Sequence, residues 1–270
     1  MAQALQEKGE LNEAIAAYRE AIRLKQDNAE AHNNLGLALA AQRKWNEAIE
    51  EYREAIRIKQ DVADAHCGLG YSLMQQGEFR KAVAALSECI KLRPDLAQVW
   101  HVRAFCYVRL SGFREALADY EKTLELLGPN AGPGIYNDLA WLLATCPEVE
   151  LRKPSRAVEL AKKAVELAPK AGGFWNTLGV AHYRLGEEKA AVTALHKSMD
   201  LRQGGDAIDW LFLAMAHCKL GDLDEARKWY DKSVQWLEKN SQALDKDPQQ
   251  AEELRRLRDE AEQVLELNKK

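Results

Sequence analysis

The chain of 270 residues lacks any apolar run near the roughly 18 residues a membrane-spanning helix requires. Its longest candidate, LAWLLA from Leu139 to Ala144, is far too short. The N-terminal MAQALQEKGE has neither the basic nor the apolar segment of a secretory signal. Cysteine is scarce: Cys67, Cys89, Cys106, Cys146 and Cys218 form no CxxC, and none has metal-ligand spacing to a histidine pair. Free thiols in a reducing cytoplasm are therefore expected. Basic charge is not in excess, because the formal net charge is −4 and lysines and arginines alternate with acids. That balance speaks against nucleic acid, and the absent spans speak against a membrane, as partners. No nucleophile elbow, kinase lysine or catalytic-loop signature occurs, so the chain is read as no enzyme, with no cofactor and no metal.

What is present is a period. Ala14, Ala48, Ala82, Ala116, Ala157, Ala191 and Ala226 recur at intervals of 34, 34, 34, 41, 34 and 35 residues. A parallel series of small residues runs through Gly36, Gly70, Ala104, Ala140, Gly179 and Ala214, usually preceded by Leu and, four residues upstream, by His or an aromatic. Trp175-x2-Leu178-Gly179 and Trp210-x2-Leu213-Ala214 are its clearest members. Small residues in two series let the helices of a hairpin approach closely, while Leu, Trp and Tyr fill the space between them. Gly77, Gly186 and Gly221 suit the left-handed end of a first helix.

The pattern resembles the tetratricopeptide repeat family: W-x2-LG-x2-Y, then A-x3-F, then P, over 34 residues. Pro94 and Pro169 fit the last place, whereas Gln26, Gln60 and Gln203 take it elsewhere. The resemblance implies an all-α, right-handed α-solenoid of about seven helix-turn-helix repeats with helix A of each lining the inside. The repeats fall at 1–28, 29–62, 63–96, 97–132, 133–171, 172–206 and 207–240, followed by a capping helix in 241–270. By this phase Met1 takes the seventh place of its helix A, as in an excised part of a longer protein or in a genuine short first helix. In the last segment Leu254, Leu257, Ala261, Val264 and Leu265 share one side of an amphipathic helix, which fits a solvating cap or, less well, a dimerising seam. Residues 136–237 look like arrays in large bacterial proteins of the planctomycete type, often linked to serine/threonine kinase or propeller domains.

The core stripe of helix A leaves a neighbouring stripe for the groove. Its ninth repeat place carries Leu37, Tyr71, Phe105, Trp141, Val180 and Met215, and its fifth carries Asn33, Cys67, His101, Asn137, Asn176 and Leu211. Leu37, Val180 and Met215 are assigned to the core. Asn33, Tyr71, His101, Phe105, Asn137, Trp141 and Asn176 are the expected peptide-binding residues, an apolar ladder beside hydrogen-bonding groups; the alternative for Tyr71, Phe105 and Trp141 is that neighbouring repeats cover them and they complete the core. The expected partner is a protein or peptide; a regulatory or substrate-presenting arm of a larger enzyme, and self-assembly into a homo-oligomer through the terminal helices, are the alternatives. The clamp for chaperone C-terminal carboxylates is missing its cations, its places holding Asn33, Leu37, Gly68, Gln98 and Val102. The amide ladder of glycosyltransferase-linked arrays breaks too, since Asn34 is followed by Gly68, Val102, Asp138 and Thr177.

Other motifs reduce to structure. Gly68-Leu69-Gly70 lacks a third glycine and lies within a helix, and Gly128–Gly134 lacks the GK[ST] of a phosphate loop. His182 and His217 have no ligand at i+3 or i+4 and are read as core or boundary residues. The proline-bearing stretch 146–155 is read as an inserted hairpin loop on the surface, with no activity.

Overall fold

The computed structural model describes residues 10–267, so the expected truncated helix A of the first repeat, in residues 1–9, lies outside the described residues. Among the described residues there are fifteen helices and no strand. They group into two compact units, one ending at Gly128 and the other beginning at Pro129. The division falls in the Gly/Pro turn and not in the inserted loop.

The first unit comprises α1 (Leu11–Leu24), α2 (Ala29–Ala41), α3 (Trp45–Ile58), α4 (Ala63–Gln75), α5 (Phe79–Leu92), α6 (Ala97–Arg109) and α7 (Phe113–Leu127). Helices α2, α4 and α6 start 34 residues apart, and each pairs with its successor. α3 shows why such a segment is helical: Ala48, Ile49, Tyr52 and Ala55 are buried along one stripe, while Arg53–Glu50 and Arg57–Glu54 pair on the other face. Ala48, Tyr52 and Ala55 of the stripe pack into Leu35, Leu39 and Tyr18, while Ile49 joins the next cluster. A second cluster forms around Leu73, Leu86, Ile90 and Val99. The hairpin crossings need their small residues. A Cβ on Gly36 would come within 2.8 Å of Tyr52, and one on Gly68 within 2.3 Å of the same ring, so one tyrosine wedges between two successive helices A.

The fourth repeat place also has a defined task. The indole N–H of Trp100 donates to the Pro94 carbonyl at 2.9 Å, and that of Trp175 to the Pro169 carbonyl at 2.9 Å. His66 makes the same bond to Gln60, at 2.9 Å, and His32 to Gln26, at 3.2 Å. The bond requires a carbonyl six residues upstream, which Gln supplies as well as Pro does. This explains why proline is dispensable at that place.

One expectation is corrected here. Cys67 on α4 and Cys89 on α5 are joined in a disulfide, with their Cα atoms 5.3 Å apart, and are not free thiols. The hairpin brings together residues 22 apart in sequence, which no local motif announces. Cys106, Cys146 and Cys218 are free and buried.

The second unit comprises α8 (Pro133–Thr145), α9 (Pro154–Leu167), α10 (Gly172–Leu185), α11 (Glu188–Arg202), α12 (Ala207–Leu220), α13 (Leu223–Lys239), α14 (Ser241–Leu244) and α15 (Pro248–Leu267). α8 pairs with α9, α10 with α11 and α12 with α13, and the helices A also touch, α8 on α10 and α10 on α12. Pro133 and Pro154 open α8 and α9 from the first turn, where a missing N–H costs nothing. Asp206 caps α12 in a reciprocal box with Asp209. The inserted loop is folded back: Arg152 Nε donates to the Cys146 carbonyl at 2.7 Å, and the Lys153 N–H donates to Leu143 at 3.0 Å. α15 packs against α12 and also touches α13 and α14. It lies against a helix A of the last repeat, in addition to the helix B that a simple continuation of the stack would cover.

Candidate partner-binding face

Place nine of the repeat behaves differently in the two units. In the first, Leu37, Tyr71 and Phe105 are exposed to 49%, 44% and 40%. Leu37 was expected in the core and is instead exposed. Tyr71 and Phe105 are held from behind by the first aromatic residue of the preceding helix B. The Trp45 ring lies edge-on to Tyr71 at 6.1 Å, and Phe79 lies edge-on to Phe105 at 6.2 Å. Arg109 stacks over Phe79 at 5.0 Å. Beside this ladder Asn33 and His101 are half-buried, His101 tilted against Tyr120 at 5.5 Å. The Asn33 amide donates to Asn34, at 3.3 Å, and leaves its own oxygen without a donor among the described residues.

In the second unit Val180, Leu211 and Met215 are fully buried. Asn176, expected to face a partner, is buried as well, and its amide donates to Asp209 at 2.7 Å. Asp209 also accepts from Arg202; burial of the carboxyl, with Asp206 nearby, raises its pKa. That cluster ties two repeats together and takes Asn176 out of the set offered to a partner. Asn137 is half-buried, donates weakly to Asp138 at 3.5 Å, and leaves its oxygen without a donor among the described residues. Trp141 is half-buried and its indole donates to the Glu253 carboxylate of α15. The expected residues thus divide between two settings: Asn33, Tyr71, His101 and Phe105 in the first unit, Asn137, Trp141 and Asn176 in the second.

Five charged groups that were not anticipated meet at α15: Glu253, Arg256 and Glu260 of the helix itself, with Arg152 and Arg184. Glu260 receives two hydrogen bonds from Arg184, one of them 2.8 Å long. Burial alone would raise the Glu260 pKa, but Arg184, with Arg152 and Arg256 beyond, holds it below the usual carboxylate range. Glu253 moves the other way, pushed up by burial. Arg152, delivered by the inserted loop, has its pKa depressed by burial and by the neighbouring Arg184. The loop is therefore part of the packing around α15. Its charge was visible in the sequence, but its destination was not.

His182 and His217 are paired within their turns, with Glu187 at 2.5 Å and Asp222 at 3.3 Å, each five residues on. Among the described residues no group of three or more His, Cys, Asp or Glu side chains could hold a metal ion, and no helix is long and apolar enough to cross a membrane.

Stacked hairpins with small residues at each crossing and ladders of equivalent side chains define a helical-repeat scaffold. The models of the TPR repeat match residues 2–42 and 40–77, and those of the tetratricopeptide repeat match 63–96, 148–206 and 212–238. The chain belongs to the tetratricopeptide repeat family. No curated protein matches it. Among solved structures it is similar to YrrB, described as a TPR protein with an unusual peptide-binding site. The identity is 16% over 69% of this chain and 93% of that one, with a TM-score of 0.61. It is also similar to a tetratricopeptide repeat protein from Parabacteroides merdae, at 14% identity over 100% of this chain and 96% of that one, with a TM-score of 0.58. A third likeness is to the APC/C hetero-tetramer Cut9–Hcn1, at 18% identity over 96% of this chain and 48% of that one, with a TM-score of 0.61. At these identities the likeness concerns the fold.

Proposed function

We propose that the chain acts by binding, as a protein–protein interaction scaffold, and that the face formed by α2, α4 and α6 holds an extended segment of a partner protein. One observation carries this reading: Leu37, Tyr71 and Phe105 hold one repeat place on three successive helices A and are all substantially exposed. Three aligned apolar side chains are what alternate side chains of an extended peptide need, and the polar Asn33 and His101 beside them offer hydrogen bonds to its backbone. The T-shaped contacts from Trp45 and Phe79 fix both rings before a ligand arrives, which reduces the ordering cost of binding. The peptide-binding site named for YrrB agrees with this role.

The test is a displayed library of random peptides selected on the intact chain, with each hit titrated against Tyr71→Ser and Phe105→Ser. Both variants are expected to lose at least tenfold in affinity for the hits while melting within a few degrees of the parent. Equal affinity in parent and variants, or collapse of the first unit on substitution, would place the rings in the core and end this reading.

A further inference from the structure

The contrast between the two units points to a second, occupied face. Place nine is open on α4 and α6, yet its equivalents Val180 on α10 and Met215 on α12 are completely buried. The helix that packs on α12 in addition to α10, α11 and α13 is α15. Its buried residues Ala251, Leu254, Leu257 and Ala261 form a single stripe at helical spacing. Its polar anchors reach three different helices A: Glu253 accepts from Trp141 of α8, Glu260 accepts from Arg184 of α10, and the Val264 carbonyl accepts from the Cys218 thiol of α12 at 3.5 Å. An amphipathic helix laid across the helices A of a repeat array is a helix-in-groove complex, here made within one chain.

The resident helix fits this face imperfectly. Glu260 faces both Arg184 and Arg152, and α15 itself brings a third guanidinium, Arg256, into the same neighbourhood. One Arg256 nitrogen, Nη1, is buried and has no acceptor among the described residues. On the side toward α13 and α14 a cavity of about 250 Å³ remains, lined by Leu237, Leu244, Ala251 and Leu254. A helix with the same two carboxylates and no cation between them would satisfy the arginines better.

We propose that α8, α10 and α12 form a groove for an amphipathic acidic helix, that α15 is its resident occupant, and that a partner helix bearing carboxylates seven residues apart displaces it. This inference concerns the second unit and stands independently of the peptide face on the first. Seven residues are two turns, about 10.5 Å, the reach from Glu253 to Glu260.

The probe is a labelled peptide of residues 247–267, titrated into the intact chain and into Glu260→Lys, whose own helix is repelled by Arg184 and Arg152. The variant is expected to bind the peptide at least tenfold more tightly than the parent. An Arg256→Ala peptide should bind tighter still, and a Glu253→Gln/Glu260→Gln peptide should lose binding. No binding to the variant, or binding indifferent to the carboxylates, overturns the proposal. Growth of the variant into a dimer on light scattering would make a second copy the occupant and overturn the partner assignment. Should Glu260→Lys fail to fold, hydrogen exchange on the parent decides. Amides of 250–264 are expected to exchange at least tenfold faster than those of α12, and equal protection would make α15 an integral part of the core.

Discussion

Arg184 and Glu260 lie 76 residues apart in the chain and meet through two parallel hydrogen bonds, with the arginine side chain only 8% exposed. This contact makes α15 sensitive to pH, and the sign follows from the groups around the carboxylate. Glu260 faces Arg184 from α10, Arg152 from the inserted loop and Arg256 from its own helix, which together outweigh burial and lower its pKa from 4.5. Its stabilising contribution is complete above about 4.5 and is lost as pH falls through the lowered value. Glu253 opposes this, since its raised pKa means that taking up a proton on acidification favours the docked state. Exchange protection of α15 is therefore expected to fall on acidification below pH 4.5 in the parent, and Glu260→Gln should abolish that step. Protection unchanged down to the unfolding of the second unit would show that the ion pair does not hold the helix.

Inside the first unit a different pair carries stability. Arg103 binds Asp119 through two hydrogen bonds, of 2.7 and 2.8 Å, donates to Ser87 at 2.9 Å, and stacks over Trp100 at 4.9 Å. Removing the carboxylate leaves a largely buried guanidinium unpaired. Asp119→Ala is expected to cost about 3 to 5 kcal/mol in denaturant unfolding, and an apolar replacement of both partners should recover most of it. A loss under 1 kcal/mol would mean that solvent reaches Arg103 in the native state.

The turn between helices A and B offers a test of local strain. Gly77, Gly186 and Gly221 occupy it at φ of 77°, 85° and 83°, and Arg43 and Ser111 occupy the equivalent place at 58° and 59°. A side chain there costs about 1 to 2 kcal/mol, partly offset by the smaller entropy of the unfolded chain. Nothing lies within 4 Å of a Cβ built on Gly77, so the cost would come from the backbone alone. Arg43→Gly should raise stability by about 0.5 kcal/mol and Gly77→Arg should lower it by about 1 kcal/mol. Opposite signs in thermal melts would show that the Arg43 side chain makes compensating contacts.

The fold was legible because its determinants are local and repeated. The small residues at Gly36 and Ala48, the aromatic or histidine four places ahead and the left-handed turn residue recur at one phase, and each marks a contact within a hairpin or with the next. Exposure on the candidate face was legible where it depends on the same phase: Tyr71 and Phe105, picked out by their repeat place, stand exposed. What failed depended on coverage by an element elsewhere in the chain. Leu37 and Val180 share a place, yet one is open and the other buried, so the repeat place does not by itself decide burial. The amphipathic stripe of α15 showed that it would pack somewhere, while the partners of Glu253 and Glu260 lie 112 and 76 residues upstream, at Trp141 and Arg184. Phase alone could not name them.

The Cys67–Cys89 bond gives the last prediction. It closes a loop across the α4–α5 hairpin with a sequence separation of 22, which in the chain-entropy account stabilises by about 3 kcal/mol. The remaining thiols are poor competitors for oxidation or labelling. Cys106 is buried and its pKa is pushed up to about 12, and burial, opposed by a backbone hydrogen bond from Glu148, raises that of Cys146. The native protein should therefore resist alkylation, and a reductant should expose one site, the half-buried Cys67, because Cys89 is completely buried, while lowering the melting of the first unit and leaving that of the second unchanged. Cys67 occupies the fifth repeat place between Asn33 and His101, so reduction also returns a thiol to the stripe beside Tyr71 and Phe105. Affinity for peptides selected on the oxidised chain should change with it. Alkylation of Cys67 without reductant, together with melting indifferent to reductant, would show that the protein in solution holds these cysteines as thiols.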